Sequence, residues 1–378
     1  MTVIFWSSVA ILVYTLIGYG VIWWVVARLF GRAQEPTDTP SMQVTLLIAA
    51  HNEAGSIAEK LANTLLLERG NLTVKTVVAC DGCTDGTADI AREFEGDDVV
   101  VVDCKDHLGK THVMKLALEA ISSDVVVFTD ANTAIEPDAL QKLCRHFTDE
   151  KVGGVCGAVA VNKTRGGWLG LAEDLYWRYD HGLKYSESRI AGAVSAQGSL
   201  YAVRRSLIGP IPEAMADDLV ISLGVVASGH RLVFDPMART IESVSSSDSK
   251  EFGRRVRSTE RGWRGLMYYS ALLNPFKYGL YSLQLFSHKV LRRLVPFLFA
   301  AAWLTSIGLA MHADIYLWSA WLFSGFVAVS LMGLMLKKYL PRVLLLPTFL
   351  FMANIAMMRG VINAISGKRT VVWVPTRD

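Results

Sequence analysis

In the run Val125–Thr133 (VVVFTDANT), four apolar residues and a threonine lead straight to Asp130. The pattern is that of a buried strand with an acid at the point where the chain leaves the sheet. In open α/β sheets ligands bind beyond the carboxyl ends of the strands. A carboxylate there can hold a divalent cation on a nucleotide diphosphate. One such strand would mean little, since many strands end in Asp-Ala or Asp-Asn turns. Two more runs end the same way. Val74–Ala79 leads into Cys80-Asp81-Gly82-Cys83-Thr84-Asp85-Gly86-Thr87, and Val44–Ala50 into His51-Asn52-Glu53. Three strand ends therefore deliver acids to one sheet edge.

Strand and helix alternate over this region. Strand 44–50 precedes helix 55–68, strand 74–79 precedes helix 85–94, and strand 98–102 precedes helix 109–121 before strand 125–129. This is a doubly wound α/β sheet with parallel strands. A second block follows, with a helix at 136–147, a strand at 152–160 and a long helix near 167–187. A Gly-rich stretch at 192–200, an acidic turn at 217–218, a helix at 219–228 and a short strand at 231–234 complete it. A polar, Pro-bearing linker at 35–40 precedes the sheet.

The chain is 52% hydrophobic and 19% charged, too apolar for a purely soluble enzyme and too charged for a membrane bundle alone. The apolar excess sits at the two ends. Val3–Ala27 has no charged residue and exceeds the roughly 20 residues that cross a bilayer. Arg28 and Arg32 follow it, an order unlike a cleaved signal peptide, so it reads as a retained anchor with its amino terminus outside. Leu294–Met311 and Ile315–Leu336 are two further spans around His312-Ala313-Asp314, flanked by Arg292 and Arg293 before and Lys337 and Lys338 after. Val343–Met358 is short for a span and contains Pro347. It is either a re-entrant or interfacial helix or a short third carboxyl-terminal span, and the apolar run that resumes at Val361 favours the span. The region from about Gln34 to Phe286 is then cytoplasmic, and all five cysteines fall within it, which suits a reducing compartment. Cys80 and Cys83 have no second cysteine pair to complete a zinc site. The net charge of +3 gives no argument for nucleic acid. Phe252–Phe286 is first basic and then aromatic, as in a helix lying in a membrane interface.

The ordered motifs resemble those of family 2 glycosyltransferases with the GT-A fold. They are Ala50-His51-Asn52-Glu53, Asp81-Gly82-x-Thr84-Asp85-Gly86, Gly109-Lys110 and Asp130-x-Asn132. The later Gln197-Gly198-Ser199-x-Tyr201-Ala202, Asp217-Asp218 and Arg257…Arg261-x-Trp263 are similar to the membrane-embedded branch. That branch holds cellulose, chitin, hyaluronan and poly-N-acetylglucosamine synthases and ceramide glucosyltransferases. The resemblance implies an amino-terminal anchor (1–33) and a cytoplasmic, Rossmann-like, doubly wound GT-A domain (34–250). Interfacial helices (251–290) and a membrane region with a cytoplasmic-interface tail (291–378) follow, in an integral protein of the bacterial inner membrane.

It also implies a site. Asp130 and Asn132 would hold Mg²⁺ or Mn²⁺, while Glu53, Asp81 and Lys110 would bind the UDP-sugar. Arg257, Arg261 and Trp263 would grip its diphosphate, with Trp263 also flooring the acceptor pocket lined by Gln197 and Gly198. Asp218 would be the general base, with Asp217 its neighbour, and the result would be an inverted, β-linked product. On residue chemistry alone, Glu53 and Asp85 also suit helix capping and Lys110 suits a solvated lysine. Two departures from the family pattern keep the chemistry: Asn132 stands in place of a second acid, and Ala216-Asp217-Asp218 in place of Thr-Glu-Asp. A third, Gly262 inserted between Arg261 and Trp263, sets a polysaccharide acceptor against a lipid acceptor that receives a single sugar. A membrane protein that binds a nucleotide-sugar without chemistry is the reading from another class. A dinucleotide oxidoreductase would need a Gly-x-Gly-x-x-Gly turn after the first strand, and His51-Asn52-Glu53-Ala54-Gly55 is not one.

Overall fold

Eight strands form one sheet: β1 (Met42–Ala50), β2 (Leu72–Asp81), β3 (Val99–Cys104), β4 (Val125–Asp130), β5 (Thr133–Ile135), β6 (Val152–Val161), β7 (Leu200–Arg204) and β8 (Arg231–Glu242), in the order β3-β2-β1-β4-β7-β6-β8-β5. The computed structural model describes residues 1–32, 36, 38–161, 168–242, 248–336, 339–341 and 345–368. Trp373, which resembles a cytoplasmic-interface element, and part of the 35–40 linker lie outside them.

β3, β2, β1 and β4 run parallel, as their continuous apolar runs predict. Leu46, Leu47 and Ile48 of β1 and Val125, Val126 and Val127 of β4 are buried on both faces. The remainder of the sheet is mixed. β7 lies antiparallel between β4 and β6, β8 runs parallel to β6, and β5 is antiparallel to β8. β8 extends to Glu242, well beyond the short strand predicted, because its second half pairs with β5 and β6.

This topology places the acids. Chain order reverses between β1 and β4, so the crevice at their carboxyl ends is a topological switch point. Ala49 of β1 pairs with Asp130 of β4, and Ala50 pairs with Cys80, next to Asp81. Because β7 is antiparallel and Leu200 pairs with Thr129, the segment that enters β7, including Gln197 and Gly198, reaches the same edge.

Among the described residues, four helices are long and apolar enough to cross a membrane: Thr2–Phe30, Leu280–Leu309, Asp314–Met335 and Leu346–Ile365. The second begins at Leu280 rather than Leu294. Hydropathy stops at His288, Lys289, Arg292 and Arg293, whereas the helix carries through them because Asp180 and Glu187 of helix Trp168–Ile190 face His288 and Arg292. The fourth has 20 residues, with Pro347 in its first turn, where proline is tolerated. The basic segment forms helix Asp248–Tyr268. It packs against Leu346–Ile365 closely enough that a Cβ on Gly360 would lie 2.6 Å from Thr259. Residues 280–286, read in the sequence as interfacial, belong to the second long helix.

Gly82 shows how tightly the nucleotide-side loops are built. Its φ is +57°, and a Cβ there would lie 2.5 Å from the backbone nitrogen of His107. Gly82→Ala combines left-handed strain with a backbone clash and is expected to cost about 1–3 kcal/mol. Thermal unfolding would show this as a lower midpoint, and an unchanged midpoint would refute it.

Candidate active site

Lys110 is the centre of the site. Gly109, with φ +101°, sets the turn into helix Lys110–Glu119 and leaves Lys110 as its first residue. The Lys110 Nζ lies 3.2 Å from Asp130 Oδ1 and 3.3 Å from Asp217 Oδ2. Burial disfavours the ammonium, but the carboxylates of Asp130, Asp217 and Asp218 outweigh it and hold Lys110 protonated well above the ordinary lysine range.

Asp217 and Asp218 open helix Asp217–Ala227, so the predicted acidic turn is the helix's first turn. Acids are favoured there by the unsatisfied amides and the helix dipole. The Leu219 N–H donates to Asp218 Oδ1 at 2.8 Å. Asp218 is nevertheless raised to about 6, by burial first and then by the Asp217 charge, against the lowering effect of the Leu219 N–H, Lys110 and Lys289. Gly198 sits between the two halves of the site. A Cβ on it would lie 3.9 Å from Asp130 Oδ2 and 4.0 Å from Asp218 Oδ2. The acid at the end of β4 and the acid opening the helix thus face each other across a residue without a side chain.

Asp130 is the accessible member of this cluster, with 40% of its side chain exposed against 14% for Asp217. Asn132 lies half-buried on the turn that follows. Lys60 fastens that turn from beneath, donating to Thr129 Oγ1 at 2.8 Å and to the Thr133 carbonyl at 2.7 Å. Burial lowers its amine to about 7. Asp130 offers hard carboxylate oxygens at the accessible edge of the cluster, one of them accepting from Lys110, and oxygen donors of this kind suit a small divalent cation.

Asp81 is placed differently. It is fully buried, and its carboxylate accepts from the N–H groups of Leu108 (2.9 Å) and Gly109 (2.9 Å to Oδ2) and from His107 Nδ1 (2.9 Å). It holds the loop that ends at Lys110. His51 donates from Nδ1 to the Asp81 carbonyl at 2.5 Å and stacks on His107 with ring centroids 3.7 Å apart. His51, Asp81 and His107 offer ligand atoms within 4.8 Å of one another. The Asp81 oxygens, however, are already engaged by these donors. Glu53 lies in the first loop, where its carboxylate accepts from Ser56 Oγ at 2.9 Å, and Ser56 rather than Glu53 holds the cap position of helix Ile57–Leu65. Asp85 accepts from the Thr87 and Ala54 amides at 3.0 Å and ties the first two loops together, while Gly86 rather than Asp85 holds the cap position of helix Thr87–Arg92.

Helix Asp248–Tyr268 closes the far side. Its Arg261 carbonyl accepts from the Ala216 N–H at 3.4 Å, and the Arg261 charge reaches Asp217. Burial, then the neighbouring Arg261 and Arg254, hold Arg257 below the usual arginine range. Trp263 lines a cavity of about 920 Å³ with Pro212 and Met215, just before Asp217 in the chain, and with Ile365 from the last long helix. Gln197 Oε1 is buried with no hydrogen-bond partner among the described residues. Tyr201 escaped the sequence reading although its motif was visible. It is fully buried, stacks on Phe128 at 4.6 Å, and senses the charges of Asp217, Asp218 and Asp130. Lys289 and Arg293 also escaped, because they sit in a segment that reads only as a membrane flank.

Lys110→Met is expected to raise Asp218 further above about 6, since the ammonium favours its ionised form. A carboxylate titration followed by isotope-edited infrared spectroscopy would show it, and an unshifted Asp218 would exclude the coupling.

A model of the family described as "Glycosyltransferase like family 2" matches residues 40–269. A poly-beta-1,6-N-acetyl-D-glucosamine synthase from Staphylococcus aureus is 24% identical over 231 residues, 59% of this chain and 55% of its own length. The corresponding synthase of Staphylococcus epidermidis is 22% identical over the same extent. The chain thus spans about half the length of the curated relatives it matches. A mannosyltransferase from Pyrobaculum calidifontis, solved in complex with GDP-Man and Mn²⁺, has the same fold. Its TM-score is 0.67 at 20% identity, covering 96% of this chain and 99% of that one. With the family model spanning the sheet, the acidic cluster and the arginine helix together, the chain belongs to glycosyltransferase family 2.

Proposed function

We propose that the protein is a membrane-embedded, metal-dependent, inverting glycosyltransferase that moves a sugar from a UDP-sugar to a polysaccharide or lipid-linked acceptor. The observation that carries this reading is the meeting of Lys110, Asp130, Asp217 and Asp218 around Gly198 at the switch point of the sheet.

Sugar transfer requires a diphosphate to depart with growing negative charge, and fixed charges aimed at that group are the main lever on the barrier. Asp130 and Asn132 would hold Mg²⁺ or Mn²⁺, which when bound supplies Lewis-acid stabilisation of the diphosphate. Lys110 adds a point charge beside it, and Arg257 and Arg261 offer guanidinium groups from the opposite wall. Glu53 lies at the nucleotide side. Asp81 acts there through the loop it holds, setting where Lys110 starts its helix. Asp218 takes the proton of the acceptor hydroxyl as that oxygen attacks the anomeric carbon from the face opposite the diphosphate. A single displacement inverts the centre, giving a β-linkage from an α-linked donor. A base raised to about 6 is matched to proton transfer near neutrality while staying mostly ionised. Gln197, Gly198 and Trp263 border the acceptor side. The similarity to poly-N-acetylglucosamine synthases supports a glycan product. The basic flanks Arg28, Arg292 and Arg293 lie on the catalytic domain's side of the long helices, which supports a cytoplasmic domain at a bacterial inner membrane.

Purified protein in native lipid, supplied separately with radiolabelled UDP-N-acetylglucosamine and UDP-glucose plus Mn²⁺, should incorporate label into polymer or lipid. Donor left intact under every condition would overturn the proposal. Asp218→Asn should lower transfer by about 10²-fold or more while UDP affinity stays nearly unchanged, and wild-type turnover would remove the base assignment. Asp130→Ala should weaken metal-dependent UDP binding in a titration. In wild type, transfer should fall as pH drops through about 6 and Asp218 takes up a proton. Asp217→Asn removes the like charge and should move that acid limb to lower pH, so an unmoved limb would contradict the coupling.

A further inference from the structure

Arg293 occupies the space that a side chain at position 262 would need. A Cβ on Gly262 would lie 2.5 Å from Arg293 Nη2. The glycine that separates Arg261 from Trp263 therefore admits a guanidinium from helix Leu280–Leu309 to the wall of the site. Arg293 Nη1 donates to the Lys289 carbonyl at 2.8 Å, and the two residues are one helical turn apart on one face. The other cation of this stretch, Arg292, points to Asp180 at 3.6 Å. Among the described residues no carboxylate lies within ion-pair distance of Lys289 or Arg293. Both are close enough to Asp218 for their charges to act on it.

Lys289 and Arg293 are thus held beside the site with no ion-pair partner among the described residues, and a partly buried cation without one is a place for an anion. Lys289 and Arg293 belong to a helix long and apolar enough to cross a membrane, at the end that meets the catalytic domain. Basic residues at that level meet lipid phosphate.

We propose that Lys289 and Arg293 form the acceptor's anion subsite, and that its occupant is the phosphate of a lipid headgroup whose free hydroxyl is presented to Asp218. The inference rests on the glycosyltransferase reading above. In the step, the hydroxyl oxygen bonds to the anomeric carbon as the bond from that carbon to the diphosphate breaks. UDP leaves with the electron pair, and Asp218 receives the hydroxyl proton. Arginine can engage a phosphate through two N–H groups at once.

The test uses the full chain in phosphatidylcholine nanodiscs with radiolabelled UDP-N-acetylglucosamine or UDP-glucose and Mn²⁺. The acceptor probes are phosphatidylglycerol (hydroxyls and a phosphate), diacylglycerol (a hydroxyl without phosphate) and soluble glycerol 3-phosphate. Label should enter phosphatidylglycerol and neither of the others. Arg293→Gln should raise the phosphatidylglycerol level needed for half-maximal transfer by about tenfold, the loss of one charge-assisted contact, with the donor KM unchanged. Arg293→Lys should recover part of it, and Gly262→Ala, which displaces the guanidinium, should shift the same parameter. Equal labelling of diacylglycerol would overturn the proposal, and labelling of glycerol 3-phosphate would make the subsite one for phosphate without lipid. A rise in donor KM would reassign the pair to the donor diphosphate. Donor consumption with label only in polymer would sink the lipid acceptor and leave the glycosyltransferase reading standing, whereas no donor consumption at all would sink both.

Discussion

Three carboxylates can share the small space around Gly198 only if a cation shares it with them. Asp130 and Asp218 face each other across that glycine, and Asp217 adjoins Asp218 in the same helical turn. Each loses hydration there, and each repels the others in a medium that screens poorly. Lys110 touches two of them and acts on the third. Its position in turn depends on Asp81, whose carboxylate grips the amides of Leu108 and Gly109 immediately before it. The end of β2 thus sets the start of a helix, the helix delivers an ammonium, and the ammonium joins the end of β4 to the acidic helix. A buried acid at the end of β2 can govern the charge state of the site through this chain of contacts.

The compensation is incomplete, and that matters for chemistry. Lys110 is shared, so Asp218 keeps an elevated affinity for protons while Asp130, more exposed, stays available to an incoming cation. Two neighbouring carboxyl groups with environments this different suit two roles. Gly198 contributes by what it lacks, since any side chain there would lie between the acid proposed to bind the metal and the acid proposed as base.

Much of this was legible in the sequence. Uninterrupted apolar runs marked the parallel strands, and an acid at each run's end marked the edge where ligands bind. Asp130 was therefore visible as a candidate before any contact was known, whereas Lys110, Asp217 and Asp218 took their roles from the resemblance of their motifs. The mixed half of the sheet was harder to read. β5 is three residues long, and the second half of β8 follows a register shift, so neither shows a sustained alternation. Asp81 looked like a free strand-end acid, because its partners are backbone amides from 27 and 28 residues further on, and amides leave no mark on composition. Gly262 read as a flaw in a motif. Its partner Arg293 lies on another element, and a missing side chain gives no hint of what fills the gap.

The long helices are joined to the catalytic domain through the same kind of buried polar contact that hydropathy treats as a break. Tyr19 of the first long helix donates to Glu187 Oε1 at 2.6 Å, and His288 of the second donates from Nδ1 to the same oxygen at 2.7 Å. Glu187 is fully buried on helix Trp168–Ile190, whose carboxyl end leads into the chain that enters β7. Removing either donor would leave a desolvated carboxylate short of a partner, so the three helices are fixed in one arrangement rather than merely tethered. The residue after His288 is Lys289, and one turn further stands Arg293. A rotation of helix Leu280–Leu309 that pulled these two from Asp218 would also break the Glu187 contact. The long apolar helix therefore keeps Lys289 and Arg293 beside Asp218, the acid proposed as base, as an acceptor presented from the bilayer would require.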